Sequence, residues 1–548
     1  MDAFKQYLQI MKHISFKKYT LFSILLITAS CTKLDEKSLL YDQVTEDHFY
    51  QTDKQLAAAV GAAYSPIFGN YNGPNNPFFD LNEVTTDEIV VPTRGADWGD
   101  GGHWVRLKTH TTTSQDTRPN GAWNFGFNGV TTCNKLLVAL AASKSPKAAA
   151  YVSELKCLRA IYYYWLLDLF GNVPISTDFA NTAPPANNNR ADVYAFVEKE
   201  LLDNIEALPK IGTGDGPYYG RVTYYVAEAT LAKLYLNAQV YTGTPQYDKA
   251  IAACDVIINS GKYSLMGNYA DNFSRNNIGS TESIWAIPFD GVHAGNFTIP
   301  MTTLHMQNQD TYQMNSQPWN GFASVQEFYQ SYTDPAQNPG PQGTVVGIDP
   351  KGTPTTGTLD KRMLNNFLVG PQYRADGISP LLDGGADASD PDGPAITFTP
   401  YINELAPNAW RQSGARIGKW QFYKGMQSGL DNDLAIYRYA DILLMKAELV
   451  ARKNSNWNDP VTLALVNQIR TVHGGVTPFA SLTPATFLAE RGREMFAESY
   501  RRQDMIRFGV YNSAYRFHAA DPDAHVNIFP IPETQLNANK NLKQNPGY

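Results

Sequence analysis

The alternation of apolar and polar positions divides the chain into long helical stretches separated by polar, turn-rich runs. Residues 53–68 carry an Ala-rich helical pattern, stopped by Gly69 and the turn residues behind it. The strongest helix is predicted over 147–170, where Leu155, Leu158, Tyr162, Trp165 and Leu169 recur at three- and four-residue steps. Gly171 stands at its C-terminal cap, and Pro174 prevents continuation. Residues 222–260 predict a helical hairpin. Tyr225, Ala229, Ala232 and Leu236 line one face of its first helix; Ala250, Cys254 and Ile257 line its second. Small residues at such a crossing let two helices approach closely. A second helix pair is predicted at 433–453 and 458–472, and "TESIWAIPF", 281–289, reads as a strand. Residues 334–358 and 371–400 are rich in Pro, Gly, Asp and Thr, and loops of that length are usually functional or mobile. The pattern describes one continuous helical scaffold, 45–275 and 401–548, carrying a loop-rich insertion over about 276–400 with a few short strands.

The N-terminus reads as an address. Lys5, Lys12, Lys17 and Lys18 precede the apolar run "LFSILLITAS", 21–30, and Cys31 follows directly. Ten residues are too few to span a bilayer, so 1–30 read as a signal peptide. A cysteine placed right after Ala29 and Ser30 is the acylation site of a lipoprotein, with 31–44 as its polar tether. Each buried CH₂ of an acyl chain contributes about 0.8 kcal/mol, so a multiply acylated Cys31 would be durably anchored.

Charge and composition narrow the function further. Without the first 30 residues the chain holds 41 basic against 51 acidic residues, which argues against a nucleic-acid partner. Cys133, Cys157 and Cys254 form no C-x-x-C pair, sit in helical patterns, and read as buried thiols. Nine His are scattered without metal-ligand spacing, and neither G-x-S-x-G, H-E-x-x-H nor a phosphate-binding Gly loop occurs. No metal or cofactor is therefore expected. Asp383, Asp387, Asp390 and Asp392 lack the Glu that completes an EF-hand loop and read as a solvated turn.

Two features invite a chemical reading. Glu490, Glu494 and Glu498 step by four and would share one helix face, as a glycosidase's paired carboxylates could. Neighbouring Arg491, Arg493, Arg501, Arg502 and Arg507 favour ion pairing in a packed amphipathic helix instead. The other feature is a ligand platform at 87–113, where Trp98 and Trp104 occur with Asp87, Arg94 and many glycines. Exposed aromatic rings stack on sugars, while Arg and Asp bridge hydroxyls. Tyr312 and Trp319, in "DTYQMNSQPWNG", form a second candidate.

The hairpin at 222–260 resembles a tetratricopeptide unit in length and in its Ala, Leu and Tyr positions. More specifically, four separated segments resemble the SusD/RagB family of nutrient-binding lipoproteins of Bacteroidetes. They are "ELKCLRAIYYYWLLDLFGNVPI", "DLAIYRYADILLMKAELVARKN", "ERGREMFAESYRRQDMIRFG" and the closing "IFPIPETQLNANKNLKQNPGY". The resemblance implies a mostly α, SusD-like fold with tetratricopeptide-like hairpins in a right-handed superhelical scaffold. It implies a surface-exposed outer-membrane lipoprotein, not an enzyme, that passes oligosaccharides to a SusC-like TonB-dependent transporter; peptide cargo is the alternative. In starch-binding relatives a loop after the first helix supplies Asp, Arg and Trp to the glycan. Asp87, Arg94 and Trp98 or Trp104 match in order.

Overall fold

The computed structural model describes residues 52–71, 73–212, 216–291, 297–334, 336, 360–384 and 393–548. The signal segment, Cys31 and the 31–44 tether lie outside them, as do Asp387, Asp390 and Asp392. Helix α1 (Asp53–Asn70) buries Leu56, Val60, Ala63, Tyr64 and Ile67, the stripe its periodicity dictates. Helix α2 (Pro77–Glu83) and the short strand β1 (Ile89–Val90) lead to α3 (His103–Lys108) and the long α4 (Thr117–Ala141). Helix α5 (Ala148–Phe170) is the predicted central helix, and every residue from Cys157 to Phe170 is buried. A helix covered on all sides must pair its charges. Arg159 therefore meets Glu200, and Asp168 accepts hydrogen bonds from Tyr241 and Arg502. Gly171 closes α5 at φ +66°, its N–H donating to the Leu167 carbonyl at 3.1 Å.

Helix α4 lies against α5 through glycines. A Cβ on Gly129 would come within 2.3 Å of the Tyr162 ring, and one on Gly126 within 2.6 Å of Leu166. Helix α6 (Arg190–Asn204) also packs on α5. Helices α7 (Tyr224–Leu236) and α8 (Tyr247–Asn259) form the predicted hairpin, with Ala250, Cys254 and Ile257 buried between elements. Cys133, Cys157 and Cys254 are buried free thiols, and burial pushes each one's pKa up.

Among the described residues the strands form four antiparallel two-stranded pairs rather than a large sheet, and every strand except β1 lies beyond α8. The strands are β2 (Ser283–Ile287), β3 (Ala323–Ser324), β4 (Phe367–Leu368), β5 (Gly370–Pro371), β6 (Thr397–Phe398), β7 (Arg416–Ile417) and β8 (Leu434–Arg438). β1 pairs with β3, β2 with β8, β4 with β7 and β5 with β6. β2 is the strand expected within 281–289. Its partner corrects an expectation: the pattern predicts helix from 433, whereas Leu434–Arg438 is strand and helix α9 (Tyr439–Lys453) starts only afterwards. A short apolar run does not reveal its period, and the partner that decides the matter lies far away in the chain.

Helix α10 (Pro460–Ile469) is capped by Asp459, whose side chain accepts the Val461 N–H. The packed amphipathic helix expected to carry Glu490, Glu494 and Glu498 on one face divides into α11 (Pro484–Met495) and α12 (Arg501–Arg507). Ala497 and Ser499 hold left-handed φ of +59° and +67° in the break. Glu498 therefore does not continue the face of Glu490 and Glu494. The break is stable because its main-chain groups find partners. Lys419 Nζ donates to the carbonyls of Glu494 (3.2 Å) and Phe496 (2.8 Å). The N–H groups of Ala497 and Ser499 donate to Glu88 (3.3 Å) and Glu83 (2.5 Å).

Candidate functional site

Glu490 and Glu494 belong to an ion network sealed from solvent. Glu490 accepts from Arg362 (2.8 Å), Arg470 (3.1 Å) and Arg493 (2.7 Å). Glu494 meets Arg438 at 3.1 Å and His473 at 3.0 Å. Only Arg493 comes from the neighbouring arginines the sequence suggests; the other partners arrive from distant elements. Burial would raise the Glu490 pKa, but Arg362, Arg493 and Arg470 outweigh it and hold it at about 2. Glu490 and Glu494 have 0% exposure, so neither reaches a polysaccharide.

The platform region is different. Trp98 sits at φ +59° and donates its indole N–H to the Trp319 carbonyl at 2.6 Å. Its ring covers Gly321, where a Cβ would lie 2.3 Å away, and meets Phe322 edge-on at 5.5 Å. The Trp319 N–H is fixed on the Met301 carbonyl at 2.6 Å, yet the residue remains 42% exposed. The two tryptophans, far apart in sequence, thus meet on one surface.

Arg94 organises that surface from beneath. It is buried, and its guanidinium donates to the carbonyls of Asn320 (2.8 Å), Gly321 (2.9 Å), Ser413 (2.9 Å) and Trp410 (3.1 Å). A rigid planar fork with five donors suits such a convergence of carbonyls. The 93–95 loop is also hydrogen-bonded to Leu405, Pro407 and Ala409. Trp410 therefore joins the same surface, half-buried, with its ring 5.8 Å from that of Tyr401, which is 44% exposed. Asn403 accepts the Trp410 N–H at 2.8 Å and donates to the Asn408 carbonyl at 3.2 Å. Four aromatic residues, Trp98, Trp319, Tyr401 and Trp410, are thereby held on loops tied to one guanidinium, with the exposed Asn408 and half-buried Asp97 beside them.

The remaining predicted residues fall elsewhere. Trp104 is 1% exposed, bonded to Asp100 Oδ2 at 2.8 Å and packed under Trp98 at 5.6 Å, with Arg118 over its ring. It seats the patch and offers no free face. Asp87 forms a two-pronged pair with Arg501 at 2.7 Å. Although burial opposes it, Arg501 holds the Asp87 carboxyl below its ordinary range. Asp87 lines a separate cavity of about 320 Å³ with Val325, Phe328 and Leu488. Tyr312 packs edge-on against Phe422 at 5.8 Å. Asp383, expected in a solvated turn, is buried between His305 (3.3 Å) and Arg411 (3.2 Å), because those partners offset its desolvation. Sequence reasoning missed Tyr401 and Trp410. The signal was present in "PNAWRQSG", a Trp in a polar turn, by the criterion that singled out Trp98.

The element order and four short strand pairs define an α-rich, SusD-like fold. Residues 281–548 match the model of the SusD family, and residues 80–236 match a model described as starch-binding, associating with outer membrane. The chain belongs to the SusD/RagB family. It is 25% identical over 497 residues to the starch-binding protein SusD of Bacteroides thetaiotaomicron, covering 86% of this chain and 85% of that one. It is 22% identical over 540 residues to SusD-like protein P25 of Formosa agariphila, covering 92% and 94%. Among solved structures, a laminarin binding SusD-like protein superposes with TM-score 0.68 at 21% identity, over 91% of this chain and 100% of that one. Surface glycan-binding protein A from Bacteroides thetaiotaomicron, in complex with laminarihexaose, gives 0.66 at 23%, over 90% and 100%.

Proposed function

We propose that this chain is an outer-membrane lipoprotein that binds oligosaccharides at the Trp98–Trp319–Tyr401–Trp410 surface and delivers them to a SusC-like TonB-dependent transporter. The observation that carries the binding reading is the pair of exposed rings, Trp319 and Tyr401, held in place by main-chain bonds rather than free to collapse. A pre-set aromatic face binds sugar rings without the entropic cost of ordering loops. The names of the relatives support the ligand class, since they bind starch and laminarin. The matched starch-binding family description supports the outer membrane as location. In this reading Arg94 and Trp104 are supports, Tyr312 lies outside the contact surface, and binding involves no catalysis. Acylated Cys31 and the 31–44 tether hold the protein at the outer leaflet, facing outward.

The test is isothermal titration of the purified chain against starch-, laminarin- and other β- and α-glucan oligosaccharides, with non-glucan glycans alongside. We expect one panel member to bind, and Trp319→Ala to weaken it by about tenfold or more, which corresponds to the ~1.4 kcal/mol of one good stacking contact. Absence of binding at millimolar glycan across the panel would reject the cargo assignment. Co-purification with a TonB-dependent porin, and its loss on removing the 31–44 segment with Cys31, tests the delivery step.

A further inference from the structure

The loop behind α3 and the C-terminal segment meet at two imidazoles and a carboxylate that the aromatic surface does not use. His110 Nδ1 lies 2.8 Å from Asp521 Oδ2, and His518 Nε2 lies 3.4 Å from the same oxygen. One ligand atom from each of the three residues lies within 4.8 Å of the others. All three side chains are shielded from solvent. His110 Nε2 faces the Thr85 carbonyl at 2.8 Å and the Tyr515 hydroxyl at 2.9 Å. His518 stands apart: it is buried, its Nδ1 has no hydrogen-bond partner, and its Nε2 has only the long 3.4 Å approach to Asp521. Buried polar groups are satisfied in nearly all cases, so an imidazole left this way asks for a missing partner. The surroundings also hold strain here, because His110 (φ +54°) and Phe517 (φ +63°) both adopt left-handed backbone.

We propose that His110, His518 and Asp521 bind a divalent transition-metal ion of the Zn²⁺ class. Two imidazoles and one carboxylate suit zinc and its neighbours in the first transition row, whereas calcium and magnesium take oxygen sets. Zinc commonly accepts three protein ligands and leaves a fourth position for water. With an ion bound, His110 would take the arrangement of a ligating histidine: Nε2–H would donate to the Thr85 carbonyl, 2.8 Å away, and Nδ1, beside Asp521, would give its lone pair to the metal. His110 and Asp521 line a cavity of about 520 Å³ bordered by Thr111, Thr113 and Tyr548, where a fourth ligand has room.

The cluster Glu282–His473–Glu494 has a similar inventory and a different balance. Both nitrogens of His473 already face carboxylates at 3.0 Å, and Arg438 bonds the same two glutamates. Those carboxylates, against the effect of burial, raise His473 to about 9. It is an imidazolium in an ion network and has no lone pair to give.

The bound ion would join the loop following α3 to residues 518–521, across most of the chain's length. The chelator-stripped full chain is titrated with ZnCl₂ by calorimetry and with CoCl₂ by visible absorption. We expect one ion per chain, the intense d–d bands of a low-coordinate cobalt site, and no response to CaCl₂. Asp521→Asn and His518→Ala should each weaken binding by about tenfold or more. Failure to saturate at millimolar zinc, or a weak octahedral cobalt spectrum, overturns the proposal. Unchanged binding in Asp521→Asn overturns it too, since the ion then sits elsewhere. If His518→Ala fails to fold, the wild-type cobalt spectrum and Asp521→Asn still decide.

Discussion

At position 94 a buried guanidinium meets carbonyl dipoles of two distant loops, 320–321 and 410–413. Replacing it with methionine keeps much of the volume but removes the donor from the Asn320, Gly321 and Ser413 carbonyls, while that of Trp410 keeps the Ser413 N–H and hydroxyl. A hydrogen bond to a charged group contributes about 1.5–3 kcal/mol, and the losses here are shared among coupled bonds. Arg94→Met should therefore destabilise the fold by about 3 kcal/mol in denaturant unfolding and abolish glycan binding. A loss below about 1 kcal/mol with binding retained would show that the loops hold themselves. The residue scale also shows what single positions reveal. Arg94, Trp98 and Trp319 stand out in the sequence because charged and aromatic residues in glycine-rich loops need a reason to be there. Whether each faces ligand or supports a neighbour depends on partners hundreds of residues away. Trp98 and Trp104 look alike in the sequence, yet Trp98 is half-buried at the surface and Trp104 is enclosed. His110, His518 and Asp521 were illegible for the same reason, since their spacing carries no motif.

Helices were legible where one face had to be apolar over several turns, as in α1, α5, α7 and α8. The helix break at 496–500 and strand β8 were not, because each is imposed by tertiary partners: Lys419, Glu83 and Glu88 for one, β2 for the other. Close packing between elements gives a sharp test. Gly129→Ala gains about 1 kcal/mol of helix propensity, but its Cβ would sit 2.3 Å from Tyr162, whose hydroxyl is fixed on the Ala63 carbonyl at 2.7 Å. Overpacking of that kind costs about 1–3 kcal/mol or more, so the net effect should be a loss of about 2 kcal/mol. Gly61→Ala, on α1 with nothing within 4 Å, should instead stabilise by up to about 1 kcal/mol. Chemical denaturation of the two variants should move the midpoint in opposite directions.

The described body as a whole carries two opposed families of buried carboxyls, and they set how stability varies with pH. Glu448, Asp441 and Glu490 are held at about 2 against their burial by adjacent Lys and Arg. The unfolded chain takes up protons on these groups first as pH falls, so their contribution is present above about pH 4.5 and is lost towards pH 2. Glu88 is the reverse case. Burial raises it from 4.5 to about 8, with Arg501 opposing and Asp87 adding to the rise. The folded state keeps a proton that the unfolded state has released, so stability falls as pH rises from about 4.5 to 8. Burial and the neighbouring Glu88 carboxyl raise Glu83 as well. Glu88→Gln mimics the protonated acid and should flatten the decline of the unfolding midpoint over that interval. An unaltered slope would assign the decline to other groups, His473 first among them.

The bonds from Arg94 end on main-chain oxygens, which every amino acid possesses. Positions 319, 410 and their neighbours can therefore change side chain without changing what holds their backbone. The frame and the recognition surface are separable, and a protein built this way can be retuned to a new sugar by substitution at the rim while its framework stays put. A library randomised at 319, 401 and 410 should consequently yield mostly folded members with divergent glycan preferences.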